Sequence, residues 1–245
     1  SATVAGTGVT QTAAVTVTPA AAAASTTEIN VSAASVSADV GTATITVQAR
    51  DQFGNALTTS GGAVTLATTL GSIGAVTNNN NGTYTATLTA TATGTATITG
   101  TIGGENITDN ATVTITPGAI SAAQSLVSSS ASTLVAGVDT ATITITVRDQ
   151  FSNAIPGTAV TIASSGTDNG FVQPSGTTNA SGVITGRFTS TRAEAKTVTA
   201  TAGATALTQQ PAVTVVAGAA ATATTQITAA PTSMSTDGSS TITVQ

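Results

Sequence analysis

The stretch "TATITVQARDQFGNAL" at residues 42–57 returns as "TATITITVRDQFSNAI" at residues 140–155. Phe53 of the first copy and Phe151 of the second are 98 residues apart. A second landmark keeps the same step. "VTVTPA" begins at Val15, "VTITPG" at Val113 and "VTVVAG" at Val213, steps of 98 and 100 residues. A third "TITV" closes the chain, and Gln245 falls where Gln48 does in the first copy. A period near 100 residues is too long for most solenoid repeats and suits a sandwich domain that closes its own core. The phase predicts the C-terminal strands of one domain over 1–24, whole domains over 25–118 and 119–218, and the opening strands of another over 219–245.

Within a copy, Ala43, Ile45, Val47 and Ala49 interleave with Thr42, Thr44, Thr46 and Gln48, the period of two that marks a half-buried strand. Ile143, Ile145 and Val147 follow the same rule, as do Tyr84, Ala86 and Leu88, and Ile184 with Phe188. Turn chemistry separates the runs at Phe53-Gly54-Asn55, Gly61-Gly62, Asn78 to Gly82, Asp168-Asn169-Gly170 and Ser181-Gly182. About seven strands per copy result, as a sandwich requires. The best helical candidate, Ala20 to Ala24, is too short to hold a helix alone. The expected fold is all-β: tandem immunoglobulin-like β-sandwiches with partial domains at both ends.

Composition narrows the function. Charged residues are 6% of the 245, aromatics 2%, and the net charge is −5, so the basic footprint of a nucleic-acid binder is missing. No apolar run is long enough to insert in a membrane. With no Cys and no His, thiolate metal sites, disulfide scaffolds and the commonest general base are all excluded. Cores must be built from small aliphatic side chains, which several modest domains accommodate better than one large one.

The second copy reads "TITVRDQFSNAIPGTAVTIASSG" and then "TTNASGVITGRFTSTRAEAKTVTATAG". It resembles the bacterial immunoglobulin-like domains of the invasin and intimin type, in which a strand ends in a D-x-x-x-N-x-x-P-G turn and a T-x-x-x-G stretch follows. The matching positions are Asp149, Asn153, Pro156, Gly157, Thr178 and Gly182. The first copy keeps Asp51 and Asn55, but "LTTSGGAVTL" replaces the Pro-Gly turn and lengthens it by two residues. The resemblance implies a stalk, stacked between a membrane or wall anchor and a distal adhesive tip.

Each candidate site has a structural reading. Asp39 with Asp51, and Asp139 with Asp149, bracket one strand in each copy. That separation is too long for a shared calcium ion, so turn capping is expected. A metal site at a joint would have to recruit Asp109 or Glu28. In the DQF[G/S]N turn, Asp and Asn satisfy local backbone groups and Phe53 or Phe151 is expected to anchor the turn against the core. Lys196, the one lysine, sits beside Glu194 at a strand start where exposure is expected; an isopeptide bond to an Asn would need it buried. Sequons stand at Asn30, Asn81, Asn106, Asn110 and Asn179. No serine has a base to activate it, and Tyr84, the one tyrosine, reads as core rather than as a sugar platform. No catalytic, cofactor-binding or metal-ligating residue is therefore assigned, no cofactor is expected, and the chain is read as no enzyme.

The expected role is a non-catalytic stalk or spacer in a long bacterial cell-surface adhesin, extracellular. The alternative is a repeat subunit of an extracellular filament or sheath. Partners are other copies of the same repeat protein or cell-surface components, with no nucleic acid, no direct membrane insertion, and self-assembly as an option. The orphan strands expected at both ends suggest a window on a longer polypeptide, because unpaired edges are aggregation-prone.

Overall fold

The computed structural model describes every residue except 1, 2, 9, 11, 12, 222 and 223. The described residues contain strands and turns and no helix. They form two compact units, one of residues 1–119 with Arg148–Asn153 and one of 120–147 with 154–245.

In the first unit, β1 (Thr3–Val4) and β2 (Thr7–Gly8) make a small hairpin. The sandwich follows with β3 (Glu28–Val31), β4 (Ser35–Ser37), β5 (Thr42–Gln48), β6 (Val64–Thr68), β7 (Ser72–Ile73) and β8 (Thr77–Asn78). It is completed by β9 (Thr83–Thr89), β10 (Gly94–Ile102), β11 (Glu105–Asn106) and β12 (Ala111–Thr116). One sheet runs β3-β5-β9-β7, with β8 also on β9; the other runs β4-β12-β10, with β6 and β11 on β10. The first long strand is thus divided between sheets. Ser32 still donates its N–H to Thr44 in the β5 sheet, whereas the Ala34 carbonyl already accepts Thr114 N–H in the other.

The second unit repeats this plan. Its strands are β13 (Leu126–Ser129), β14 (Thr133–Val135), β15 (Ala141–Thr146), β16 (Val160–Ser164) and β17 (Asn169–Val172). Then come β18 (Val183–Ser190), β19 (Ala195–Ala202), β20 (Thr205–Ala206) and β21 (Ala212–Val216). The sheets are β13-β15-β18-β17 and β14-β21-β19-β16, with β20 on β19. A last hairpin joins β22 (Ile227–Ala230) to β23 (Thr241–Val244). Among the described residues, both terminal hairpins pair only within themselves.

Registers match between units. Ala43 faces Leu88 as Ala141 faces Phe188, and Val64 faces Ile102 as Val160 faces Ala202. Alternation places Ala43, Ile45, Val47, Tyr84 and Leu88 in the first core, against Ile98, Val113 and Ile115 of the opposite sheet. Ile143, Ile145, Val147, Ile184 and Phe188 meet Val198, Val213 and Val215 in the second. Phe188 also contacts the Phe171 ring, with centroids 5.5 Å apart.

Three expectations need correction. Phe53 is 75% exposed and Phe151 42%, so neither ring anchors its turn in the core. Lys196 is buried. Asn169 and Gly170 begin β17, and the turn before them spans Ser165 to Asp168.

Candidate functional site: an acidic turn that holds the linker

The DQF[G/S]N turn shapes itself through its aspartate rather than through its phenylalanine. Asp51 leaves β5 fully buried, and its Oδ1 accepts the N–H groups of Phe53 and Asn55, each at 2.9 Å. Asn55 Nδ2 donates to Oδ2 at 3.0 Å, and the same oxygen accepts the Ala20 amide at 3.0 Å. In the second copy, Asp149 Oδ1 accepts Phe151 and Asn153 N–H, and Oδ2 accepts Asn153 Nδ2 at 2.7 Å and the Gly118 amide at 2.9 Å. Ionised carboxylates have about four lone-pair sites. Both aspartates fill theirs with N–H donors, an arrangement that stabilises the ionised carboxylate and leaves no lone pair open to ligate a cation.

Ala20 and Gly118 are the same position one repeat apart, as are Asp51 and Asp149. Each acidic turn therefore grips the backbone of the segment that enters its domain. The second segment is held by two carboxylates, because the next amide, Ala119, donates to Asp39 Oδ2 at 3.2 Å. A Cβ on Gly118 would lie 2.8 Å from Asp39 Cγ, so glycine is needed for the close approach. The first segment adds backbone pairing, with Ala23 N–H donating to the Arg50 carbonyl at 2.7 Å.

The donors set the acidity. Asn55, then the amides of Ala20, Asn55 and Phe53, hold the Asp51 carboxyl at about 2 against the upward push of burial. Burial pushes Asp149 up, but the Gly118 amide, Asn153 and the Phe151 amide outweigh it and keep its carboxyl below the ordinary range. The Ser37 hydroxyl and the Ala119 and Val40 amides lower Asp39 likewise.

The remaining candidates fall into structural roles. Asp109 accepts the Ile29 amide at 2.8 Å, and Glu28 pairs with Arg50 at 3.0 Å. Asp139 accepts the Val135 amide at 2.8 Å. Among the described residues no three carboxylates come together as a metal would need. Tyr84 lies in the core as expected, its hydroxyl accepting Gly61 N–H at 2.8 Å and donating to Gly62 O at 2.7 Å. All five sequon asparagines are exposed.

Lys196 is the largest departure. Its ammonium donates to Glu194 Oε1 and to Thr167 O, closing the Ser165–Asp168 turn over the end of the core. Glu194 is held below its ordinary range chiefly by that lysine. Asn169 sends Nδ2 to Ser165 O and Gly166 O, and its buried Oδ1 meets no donor, so the lysine and asparagine are not paired. Strand period was the available signal: Lys196 shares its face with Val198, Ala200 and Ala202, all buried.

Residues 22–118 match the family model described as "Invasin, domain 3", and residues 123–216 match "Bacterial Ig-like domain (group 1)". No curated protein matches the sequence. The crystal structure of invasin, described as a bacterial integrin-binding protein, aligns with a TM-score of 0.63 at 24% identity, covering 85% of this chain and 42% of that one. FdeC, an Escherichia coli adhesin, aligns at 0.62 and 22% identity over 87% of this chain and 70% of its own. InvD of Yersinia pseudotuberculosis gives 0.57 and 24% identity over 83% of this chain and 62% of its own. The chain thus spans less than half of the invasin structure and about three fifths of InvD. These likenesses show a shared fold, and the two family matches fall on the two complete sandwiches. The chain belongs to the bacterial immunoglobulin-like domains of the invasin and intimin type.

Proposed function

We propose that this chain is a non-catalytic spacer segment of a bacterial surface adhesin, displayed outside the cell, with residues 1–24 and 219–245 contributing strands to flanking domains of the same kind. The observation that carries the reading is the linker grip. The buried aspartates Asp51 and Asp149 each bind the backbone of an entering segment, a design that stiffens joints and serves no substrate. The 98-residue step between them supports a module meant to be strung in series.

Stretching single molecules from their ends tests the proposal. Two separate unfolding events are expected, each releasing roughly 330 Å from about 95 residues at about 3.5 Å each. A single event, or extension without a force peak, would refute it. Ordered fibres seen by electron microscopy at raised concentration would instead favour the filament reading.

A further inference from the structure

We infer that β6, a free edge of the first sandwich, pairs with the β6 strand of a second copy of this chain in a two-fold antiparallel ribbon. The inference goes beyond the spacer reading, because it concerns association between copies rather than extension of one.

Edge strands invite further strands, and folded proteins blunt them with brevity, proline, charge or a covering group. The other edges of the two sandwiches are blunted in these ways. β4 and β14 have three residues each, and β7 and β8 two each. β17 ends at Val172, and Pro174 follows. On β3 the outward Ile29 amide donates to Asp109 Oδ2, and on β13 the outward Val127 amide donates to Gln209 Oε1, both at 2.8 Å.

β16 and β6 hold corresponding places, against β19 and β10, and only β16 is covered. Gln173 reaches over from the end of β17 and caps the middle of β16. Its Oε1 accepts Ile162 N–H at 2.9 Å, and its Nε2 donates to Ile162 O at 2.8 Å. Val160 and Ile162 are each 4% exposed. In β6 the bonds to β10 fall at alternate residues, with Ala63 O accepting Gly103 N–H and Thr69 N–H reaching Thr97 O. Val64, Leu66 and Thr68 therefore turn their N–H and C=O groups outward. Among the described residues nothing bonds the Leu66 amide or carbonyl, and Val64 and Leu66 stay half-buried. Ile73 faces Leu88 as Phe171 faces Phe188, which puts Ala75 at the place of Gln173, with no amide to cap the strand.

This open pattern fits itself. When two β6 strands run antiparallel about Leu66, each Leu66 meets its counterpart and each Val64 meets a Thr68, so the outward groups at all three positions find partners. The pairing also covers the half-open Val64 and Leu66. No charged residue lies between Asp51 and Glu105, so like charges do not hold two copies apart. The contact is isologous and closes as a pair. Flanking repeats do not supply this strand. Within the first compact unit the turn at Arg148–Asn153 meets the loop between β9 and β10, where Asn153 Nδ2 donates to Thr91 O at 2.8 Å, and β6 takes no part. A repeat joined in the same way leaves the edge open. Five-residue strands cover little area, so the pair is weak and is best read by trapping it.

The chain has no cysteine, so single cysteines report the contact cleanly. The ribbon sets Thr65 of one copy opposite Ala67 of the other, and both are exposed. Differently tagged T65C and A67C chains, mixed under mild oxidation, should form the mixed disulfide roughly tenfold faster than T65C with A163C, the corresponding exposed site on capped β16. Leu66→Pro in both chains removes the central donor and should return the rate to the control. Sedimentation of the cysteine-free chain gives a second reading: a weak dimer that A67K abolishes by placing like charges on both edges. Equal rates for the two cysteine pairs would overturn the inference and leave the two-step extension of the spacer untouched.

Discussion

The first sandwich ties down its widened turn with Tyr84, whose hydroxyl meets Ser60, Gly61 and Gly62. The second, with a turn two residues shorter, uses Thr178: its hydroxyl donates to Ile155 O at 2.7 Å and accepts Thr158 N–H at 3.0 Å. Ile184 then fills the register position of Tyr84. Where the first core has Ala96, the second has buried Lys196 with its own anion and carbonyl. The pairing frame and acidic turn stay fixed while the fillings change. A polar group in these thin cores is tolerated wherever backbone groups nearby can satisfy it.

The strongest way to break the comparison is at the shared register position of Leu88 and Phe188. Phe188→Ala should cost the second sandwich about 3–5 kcal/mol and leave the first one's transition in place, as followed by calorimetry. If both transitions move together, the units do not unfold independently.

A finer test exchanges the turn fastenings. Tyr84→Phe removes three hydrogen bonds and should destabilise the first sandwich by about 1–3 kcal/mol. Thr178→Val should weaken only the second, by about 1–2 kcal/mol, since it strands one amide and one carbonyl. Chemical denaturation with probes in each unit separates the two.

The acid response is silent at neutral pH and sharpens what the copies share. Asp51 and Asp149 have lower carboxyl pKa values folded than unfolded, so their stabilisation is complete above pH of about 4. It is lost as the pH falls toward about 2, where Asp51 itself titrates. Melting temperatures of both sandwiches should drop across that window, since Asp51 follows β5 of the first and Asp149 follows β15 of the second. Asp51→Asn should lower the first sandwich's stability at pH 7 and flatten its response to acid, with the second sandwich unchanged.

Much of this architecture is legible in the residues. The recurrence from Phe53 to Phe151 and the alternation through Ala43, Ile45 and Val47 lead directly to paired sandwiches with those faces inside. Phe53 misleads because a large apolar ring usually anchors a turn, whereas here the aspartate's four N–H donors already fix the backbone. The linker grip is hidden for a different reason. Ala20 and Asp51 are 31 residues apart, and nothing local marks an alanine amide as a partner. Only the matching Gly118–Asp149 spacing carries the signal. Lys196 misleads because charge suggests solvent, although its place in the alternating face points inward.

The divided first strand has a mechanical consequence. β4 lies parallel to β12, the last strand of its sandwich, through Ser35–Thr114, Val36–Ile115 and Ser37–Thr116, and β14 lies parallel to β21 in the same way. In a parallel pair, tension entering at the start of one strand and leaving at the end of the other slides the strands along their length. The cross-links are then sheared together instead of peeling one at a time, so rupture requires several bonds to fail at once. A short patch of three residue pairs thereby protects each sandwich against being pulled apart from its ends.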